Sequence, residues 1–202
     1  MEFARDVAYL AHRNEINTVA VTSGYISDKA REEFFSFIDA ANVDLKAFND
    51  DFYRKYTGGH LQPVLDTLKY IKEKTNTWLE VTTLLIPELN DSELEISAVC
   101  EWIAENLGKN VPLHFSAFHP AWEMTDKQRT PLATLQKARN IALSKGLNYV
   151  YTGNVRDPEG SGTWCPNCGQ LLIERNWYQV KIRNLNPNGG CTRCGTKIEG
   201  YF

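Results

Sequence analysis

Five short apolar runs, each divided from the next by a segment of helical periodicity, govern what this chain can fold into. The runs occupy residues 16–21, 41–46, 78–86, 111–118 and 147–151 and are rich in β-branched and aromatic residues. Between them, Leu61, Val64, Leu65, Leu68 and Ile71 repeat at i, i+3, i+4, as do Leu94, Ala98, Trp102, Ile103 and Leu107 behind the capping-box start Asn90-Asp91-Ser92-Glu93. Phe34, Phe35, Phe37 and Ile38 give residues 27–39 a broad apolar face, and Thr130-Pro131 and Lys145-Gly146 bracket a further helix. Alternation of this kind predicts an α/β fold, a parallel sheet joined by crossover helices. A complete eight-fold barrel needs ~250 residues, so the expectation is a partial barrel or an open sheet. A helix over residues 2–14, with Phe3, Val7, Leu10 and Ala11 at helical spacing, precedes the first run without a strand of its own. A βα series that is incomplete at its amino end is the expected cause.

In such folds ligands bind at the carboxyl ends of the strands. Here those ends read Thr22-Ser23-Gly24, Asp44-Leu45-Lys46, Ile86-Pro87, Phe118-His119-Pro120 and Thr152-Gly153-Asn154. Asp44 and Lys46 are two apart and therefore share one face of their strand.

Four of the five cysteines form two knuckles, Cys165-Pro166-Asn167-Cys168-Gly169 and Cys191-Thr192-Arg193-Cys194-Gly195, with 22 residues between Cys168 and Cys191. This spacing sets two tight turns face to face around a tetrahedral metal. A structural zinc is the default reading; an iron–sulfur cluster or a redox dithiol on the same residues are the alternatives. Residues 171–173 and 178–182 read as ribbon strands between the knuckles. The expected division is a barrel part over 1–156, a linker over 157–163 around Asp157-Pro158-Glu159-Gly160-Ser161-Gly162, and a zinc-ribbon-like domain over 164–202. Cys100, on a helix face near Val99 and Ile103, reads as a buried structural thiol.

The totals exclude several function classes. With 202 residues and 43% hydrophobic content the chain supports a sizeable core, and 22 basic against 25 acidic residues announce no nucleic-acid or membrane partner. No apolar run approaches the ~18 residues of a membrane span, and the amino terminus lacks the pattern of a signal peptide. The expected location is the cytoplasm.

The strand ends, in their order along the chain, resemble those of radical SAM enzymes similar to pyruvate formate-lyase activating enzymes. Four stretches resemble the AmmeMemoRadiSam-system radical SAM enzyme in particular: Ala41-Asn42-Val43-Asp44-Leu45-Lys46-Ala47-Phe48, Val81-Thr82-Thr83-Leu84-Leu85-Ile86-Pro87, Tyr151-Thr152-Gly153-Asn154-Val155 and Trp164-Cys165-Pro166-Asn167-Cys168-Gly169. The resemblance implies a partial (β/α) barrel in which a [4Fe-4S] cluster cleaves S-adenosylmethionine reductively to a 5′-deoxyadenosyl radical. It implies that Thr22 and Ser23 help to hold S-adenosylmethionine, Ser23 standing where the family usually has Asn. Asp44 and Lys46 would face the methionine and ribose part, and His119 the cofactor or substrate. The family's C-x3-C-x2-C cluster motif is absent from this chain. The sequence is therefore expected to be the carboxyl-terminal portion of such an enzyme, silent on its own, and to associate with itself, with the missing segment or with partner proteins of that system.

The other polar residues carry plainer expectations. Gly58-Gly59 reads as a turn, with an anion cradle as the alternative, His114 as a core or wall residue, and His12 and His60 as solvated. Trp122, Glu123 and Met124 lie in a loop that either covers the site or is ordinary surface. Trp164, Trp177, Tyr178, Tyr201 and Phe202 read as packing for the small module, with base stacking as the alternative. The competing function is a non-catalytic zinc-ribbon scaffold that binds protein or nucleic acid.

Overall fold

A computed structural model describes residues 2–200; Tyr201 and Phe202 lie outside the described residues. Helix α1 (Glu2–Arg13) leads into β1 (Val19–Thr22), α2 (Asp28–Phe35) and β2 (Ala40–Asp44). Next come the short helix α3 (Asp50–Phe52), α4 (Leu61–Lys74) and β3 (Trp78–Leu85). The series continues through α5 (Glu93–Asn106), β4 (Leu113–Ala117), α6 (Leu132–Ser144) and β5 (Val150–Gly153). The short helix α7 (Pro158–Ser161) then leads to β6 (Thr163–Trp164), β7 (Leu171–Asn176) and β8 (Gln179–Ile182).

Strands β1 to β5 form one parallel sheet in chain order, with Val43 paired to both Thr22 and Val81, Val81 to Leu113, and Leu113 to Val150. Sequential order with right-handed crossovers winds the connecting helices onto one face. The burial pattern marks that face: Ala41, Val43, Leu45, Val81, Leu85, Leu113 and Phe115 pack with Val64, Leu68, Ile71, Ile103 and Leu135 in a single core. Each such fully buried side chain contributes about 1.5–3 kcal/mol. The opposite face alternates with it and is polar, carrying Asn42, Asp44, Glu80, Thr82, His114, Ser116 and Tyr151, all half-buried. At the β1 edge this face is apolar instead, with Val19 and Val21 exposed; Phe3 and Leu10 of α1 are exposed as well.

The expected α/β sheet and its helices are present, with informative differences. The last strand of this sheet begins three residues later than its apolar run suggests; Leu147 and Tyr149, ahead of it, are buried at 2% and 6% exposure, and the Tyr149 carbonyl already accepts from the Leu113 N–H at 2.9 Å. Helix α2 stops at Phe35, four residues short of the expected end, and Ser27 makes no side-chain cap. Helix α3 was not expected at all: Asn49 caps it by accepting from the N–H groups of Asp51 and Phe52, and it runs on as a single π-helical turn over Tyr53–Thr57. Gly58, at φ 70°, ends that turn in the left-handed conformation, so Gly58-Gly59 is a turn.

Residues 157–163, expected as a linker, are packed rather than slack. Asp157 is buried and accepts from the Thr152 hydroxyl at 3.0 Å, and Gly160 lies against the same two side chains. The cysteine module that follows is a three-stranded antiparallel sheet in the order β6-β7-β8. Its small core unites Cys165, Leu172, Cys191 and Ile198 with Tyr149, a residue of the segment leading into β5.

Candidate functional site

Asp44 and Lys46 leave the carboxyl end of β2 on the polar face, where Lys46 Nζ lies 2.6 Å from Asp44 Oδ2 with both side chains about a third exposed. The backbone beneath them is fixed from every side. Tyr53 OH accepts from the Lys46 N–H at 3.0 Å, and the Asn90 side-chain amide donates to the Lys46 carbonyl at 2.7 Å. The same amide donates to the Leu84 carbonyl at 2.9 Å, while its oxygen accepts from the Ile86 N–H at 2.6 Å. Thr83 donates to the Leu45 carbonyl, and Glu95 accepts from the Phe48 N–H, both at 2.9 Å. Asn90 is 2% exposed, so one amide joins the ends of β2 and β3 where no water competes. Burial pushes the Tyr53 phenol up to about 12, keeping it a neutral partner, and burial likewise raises the Glu95 carboxyl. Sequence reasoning found Asp44 and Lys46 but missed Tyr53 and Asn90. Asn90 read only as part of a helix start, and the signal, Pro87 followed three residues later by Asn, is too common to weigh.

The other expected residues stand at the same end of the sheet with weaker ties. Thr22 ends β1, one strand from Asp44, and its hydroxyl accepts from the Gly24 N–H at 3.1 Å; the Ser23 hydroxyl accepts from the Tyr25 N–H at 3.4 Å. Gly24, at φ 67°, sits so near Val43 that a Cβ there would meet a methyl at 2.7 Å, so this turn is packed tightly against β2. His119 follows β4, two strands from Asp44, and is exposed. Among the described residues no hydrogen bond joins His119 to Asp44 or Lys46. His12 and His60 are exposed and pair with Asp39 at 2.8 Å and Asp50 at 3.1 Å.

Deeper on the polar face runs a second network. His114 Nε2 lies 2.7 Å from Glu80 Oε2, and the Trp78 indole donates to Glu80 Oε1 at 3.0 Å. Burial works to raise Glu80, but these two hydrogen bonds outweigh it and hold the carboxyl below its usual range. The His114 ring stacks on Tyr151 with centroids 5.0 Å apart, and the Arg175 guanidinium of β7 lies 5.5 Å over the Tyr151 ring. Arg175 also donates to Thr163 Oγ1 at 2.7 Å, which in turn lies 3.0 Å from Tyr151 OH. Together they line a cavity of about 470 Å³ between the sheet and the cysteine module. His114 is thus a wall residue.

The four module cysteines converge. Each knuckle closes in the same way: Gly169 and Gly195, at φ 67° and 75°, donate to the carbonyls of Cys165 and Cys191 at 2.9 and 2.8 Å. The Sγ atoms of Cys165 and Cys194 are 3.5 Å apart, those of Cys168 and Cys191 3.7 Å, and all four lie within 4.8 Å of one another. A tetrahedron with metal–sulfur bonds of about 2.3 Å has edges of about 3.8 Å. The four thiols therefore fit a single tetrahedral ion, and they are too close together to span the separated irons of a cubane cluster. The Thr196 hydroxyl lies 3.3 Å from Cys194 Sγ, and contacts with Thr196 hold that thiol below its ordinary range, while the neighbouring thiols push Cys168 up. Cys100 is fully buried on α5, its thiol pushed up to about 12 by burial, and is no ligand.

No family model matches the chain. It is 43% identical over 199 residues to the uncharacterized protein MJ0808 of Methanocaldococcus jannaschii, covering 98% of this chain and 59% of the relative. It is 24% identical over 166 residues to the 4-hydroxyphenylacetate decarboxylase activating enzyme of Clostridioides difficile, covering 76% of this chain and 52% of that one. It is also 29% identical over 104 residues to the isethionate sulfite-lyase activating enzyme of Oleidesulfovibrio alaskensis, covering 51% of this chain and 34% of the relative. The chain spans about half the length of the curated relatives it matches. Among solved structures, a domain of a pyruvate-formate lyase-activating enzyme from Bacteroides vulgatus superposes with a TM-score of 0.66 at 17% identity, over 76% of this chain and 91% of that one. A radical SAM methyltransferase from Sphaerobacter thermophilus gives 0.53 at 17% identity, over 78% and 46%. The five-stranded parallel sheet with its helices is thus the fold seen in a pyruvate-formate lyase-activating enzyme domain and a radical SAM methyltransferase, and in sequence the chain is similar to two activating enzymes at 24% and 29% identity.

Proposed function

We propose that this chain forms the carboxyl-terminal part of a radical SAM enzyme of the AmmeMemoRadiSam type, built on a partial barrel. In this reading the carboxyl ends of β1, β2 and β4 hold S-adenosylmethionine, and a structural zinc sits on Cys165, Cys168, Cys191 and Cys194. The observation that carries it is the Asp44–Lys46 pair, set on a backbone clamped by Tyr53 and Asn90 at the ligand-binding end of the sheet. Lys46 offers a cation to the cofactor's carboxylate and Asp44 an acceptor to its ammonium or a hydroxyl, exchanging their mutual contact for the ligand. Thr22, Ser23 and His119 supply further hydrogen-bonding groups at the same end.

In the family named above, reductive cleavage of S-adenosylmethionine takes place at a [4Fe-4S] cluster. The cysteines of this chain do not fit such a cluster, so no step is drawn through it, and the chain by itself is expected to be silent. Its own residues bind and orient the cofactor on a fixed strand end. Titration with S-adenosylmethionine tests this: binding weakened ~10-fold or more by Lys46→Ala and Asp44→Asn, with unchanged thermal unfolding, is the expected result. Binding indifferent to both changes overturns it. Metal analysis of the anaerobically purified protein accompanies the test, with one zinc and no iron per chain expected.

A further inference from the structure

The β7–β8 hairpin breaks the rules of its own turn. Asn176 pairs with Gln179, so the loop is the two residues Trp177 and Tyr178, where a hairpin of this length prefers Asn-Gly or Gly because its backbone enters positive φ. Trp177 stands at φ 53°, an uncommon conformation for so bulky a residue. No packing compensates, since Trp177 is 69% exposed and Tyr178 99%. Local rules broken without a folding benefit mark functional positions.

Strand β8 continues the anomaly. It is the edge of its sheet, and all four of its residues are exposed, with Val180 at 59% and Ile182 at 67%. Val180 and Ile182 pair across the hairpin with Arg175 and Ile173, and so share their face. Lys181 lies on the other face, paired across to Glu174. The hairpin also has a direction. Ile173 lines the cavity with Trp78 and Pro112 near the amino ends of the strands, whereas Trp177 lines a cleft with Gly153, Asn154 and Val155 at the carboxyl end of β5. Asn154, across that cleft, also has positive φ, 59°.

We propose that β8 is a docking edge for an extended acidic segment of a partner polypeptide, which adds to it as a fourth strand and is led by Trp177 and Tyr178 to the ligand-binding end of the main sheet. Unpaired backbone groups supply the affinity, Val180 and Ile182 take β-branched side chains on one face, and Lys181 takes a carboxylate on the other. The charges decide against a nucleic acid, which needs several free cations along its backbone. Arg175 is held by Thr163 and Tyr151, and Arg183 pairs with Glu174 at 2.5 Å, leaving Lys181 as the one cation of the hairpin without a partner among the described residues. Docking on β8 stands apart from the chemistry read at the strand ends; only the destination of the segment rests on that reading.

The test is a titration of the zinc-loaded, 15N-labelled chain with a blocked peptide alternating Val and Glu, and separately with a scrambled peptide and a thymidine dodecamer. Amide shifts confined to β8 and the Trp177–Tyr178 turn with the alternating peptide are the expected result. Affinity should fall at least five-fold in Lys181→Glu and in Val180→Lys. Both positions are exposed, so unchanged thermal unfolding separates lost docking from lost folding. No shifts at millimolar peptide, or equal shifts with the scrambled control, overturn the proposal, and stronger shifts with the dodecamer reassign the surface to nucleic acid.

Discussion

Asn90 shows how much of a strand end rests on one buried amide. Its side chain satisfies three main-chain groups at 2.6 to 2.9 Å, one buried and two part-buried, and Asn90→Ala takes that partner from all three. Each orphaned group costs about 1–3 kcal/mol, with partial relief as the strands shift, so a loss of about 2–4 kcal/mol in urea unfolding is expected. Binding of S-adenosylmethionine should weaken in the same variant even at temperatures where it remains folded, because the Lys46 carbonyl is then no longer held. Glu80 gives a prediction in pH. Its carboxyl is held below the usual range by His114 and Trp78, so it favours the folded state above the unfolded carboxylate range and loses that contribution as pH falls through its own lower value. Glu80→Gln should therefore flatten the acid side of the stability profile measured by thermal unfolding from pH 3 to 7, and an unchanged acid limb would refute the pairing. Neither residue was legible in the sequence. A charge such as Asp44 at a strand end announces itself, whereas an amide turned inward looks like any helix cap.

The elements were legible in proportion to how local their causes are. Helix α4 follows from its own apolar spacing, and the two knuckles from four cysteines and two glycines, so both were expected where they occur. The start of β5 was misplaced because Tyr149 is buried by the module that follows in sequence, a contact no local window contains. The π-helical turn at Tyr53–Thr57 escaped for the same reason, since it brings Tyr53 OH to the Lys46 N–H just past the end of β2. The Trp177-Tyr178 turn has no turn chemistry to read. The short helix α7 carries the element-scale prediction. A Cβ on Gly160 would collide with the Thr152 and Asp157 side chains, so Gly160→Ala should cost about 1–3 kcal/mol by overpacking. Gly108→Ala is the control that separates crowding from backbone strain: Gly108 has φ 92° but nothing within 4 Å of a Cβ. A Gly160 variant no less stable than that control would show that α7 yields freely.

At the scale of the molecule, the sheet and the cysteine module share their interior. Tyr149 belongs to the module's core, and Arg175 reaches back over Tyr151 of β5. Cys168→Ser should therefore do more than release the ion: amides of β5 should exchange faster in the variant, while β2 and β3, which face the helices, keep their protection. Loss of protection confined to residues after 163 would show two independent units instead. Among the described residues no helix is long and apolar enough to cross a membrane. The shared interior also bears on the life of the molecule outside the test tube. If the knuckles organise around an ion, a chain made during metal shortage carries a frayed last strand in its main sheet, and a protease would find it there first. The supply of one ion would then set how many copies persist, with no separate sensor required.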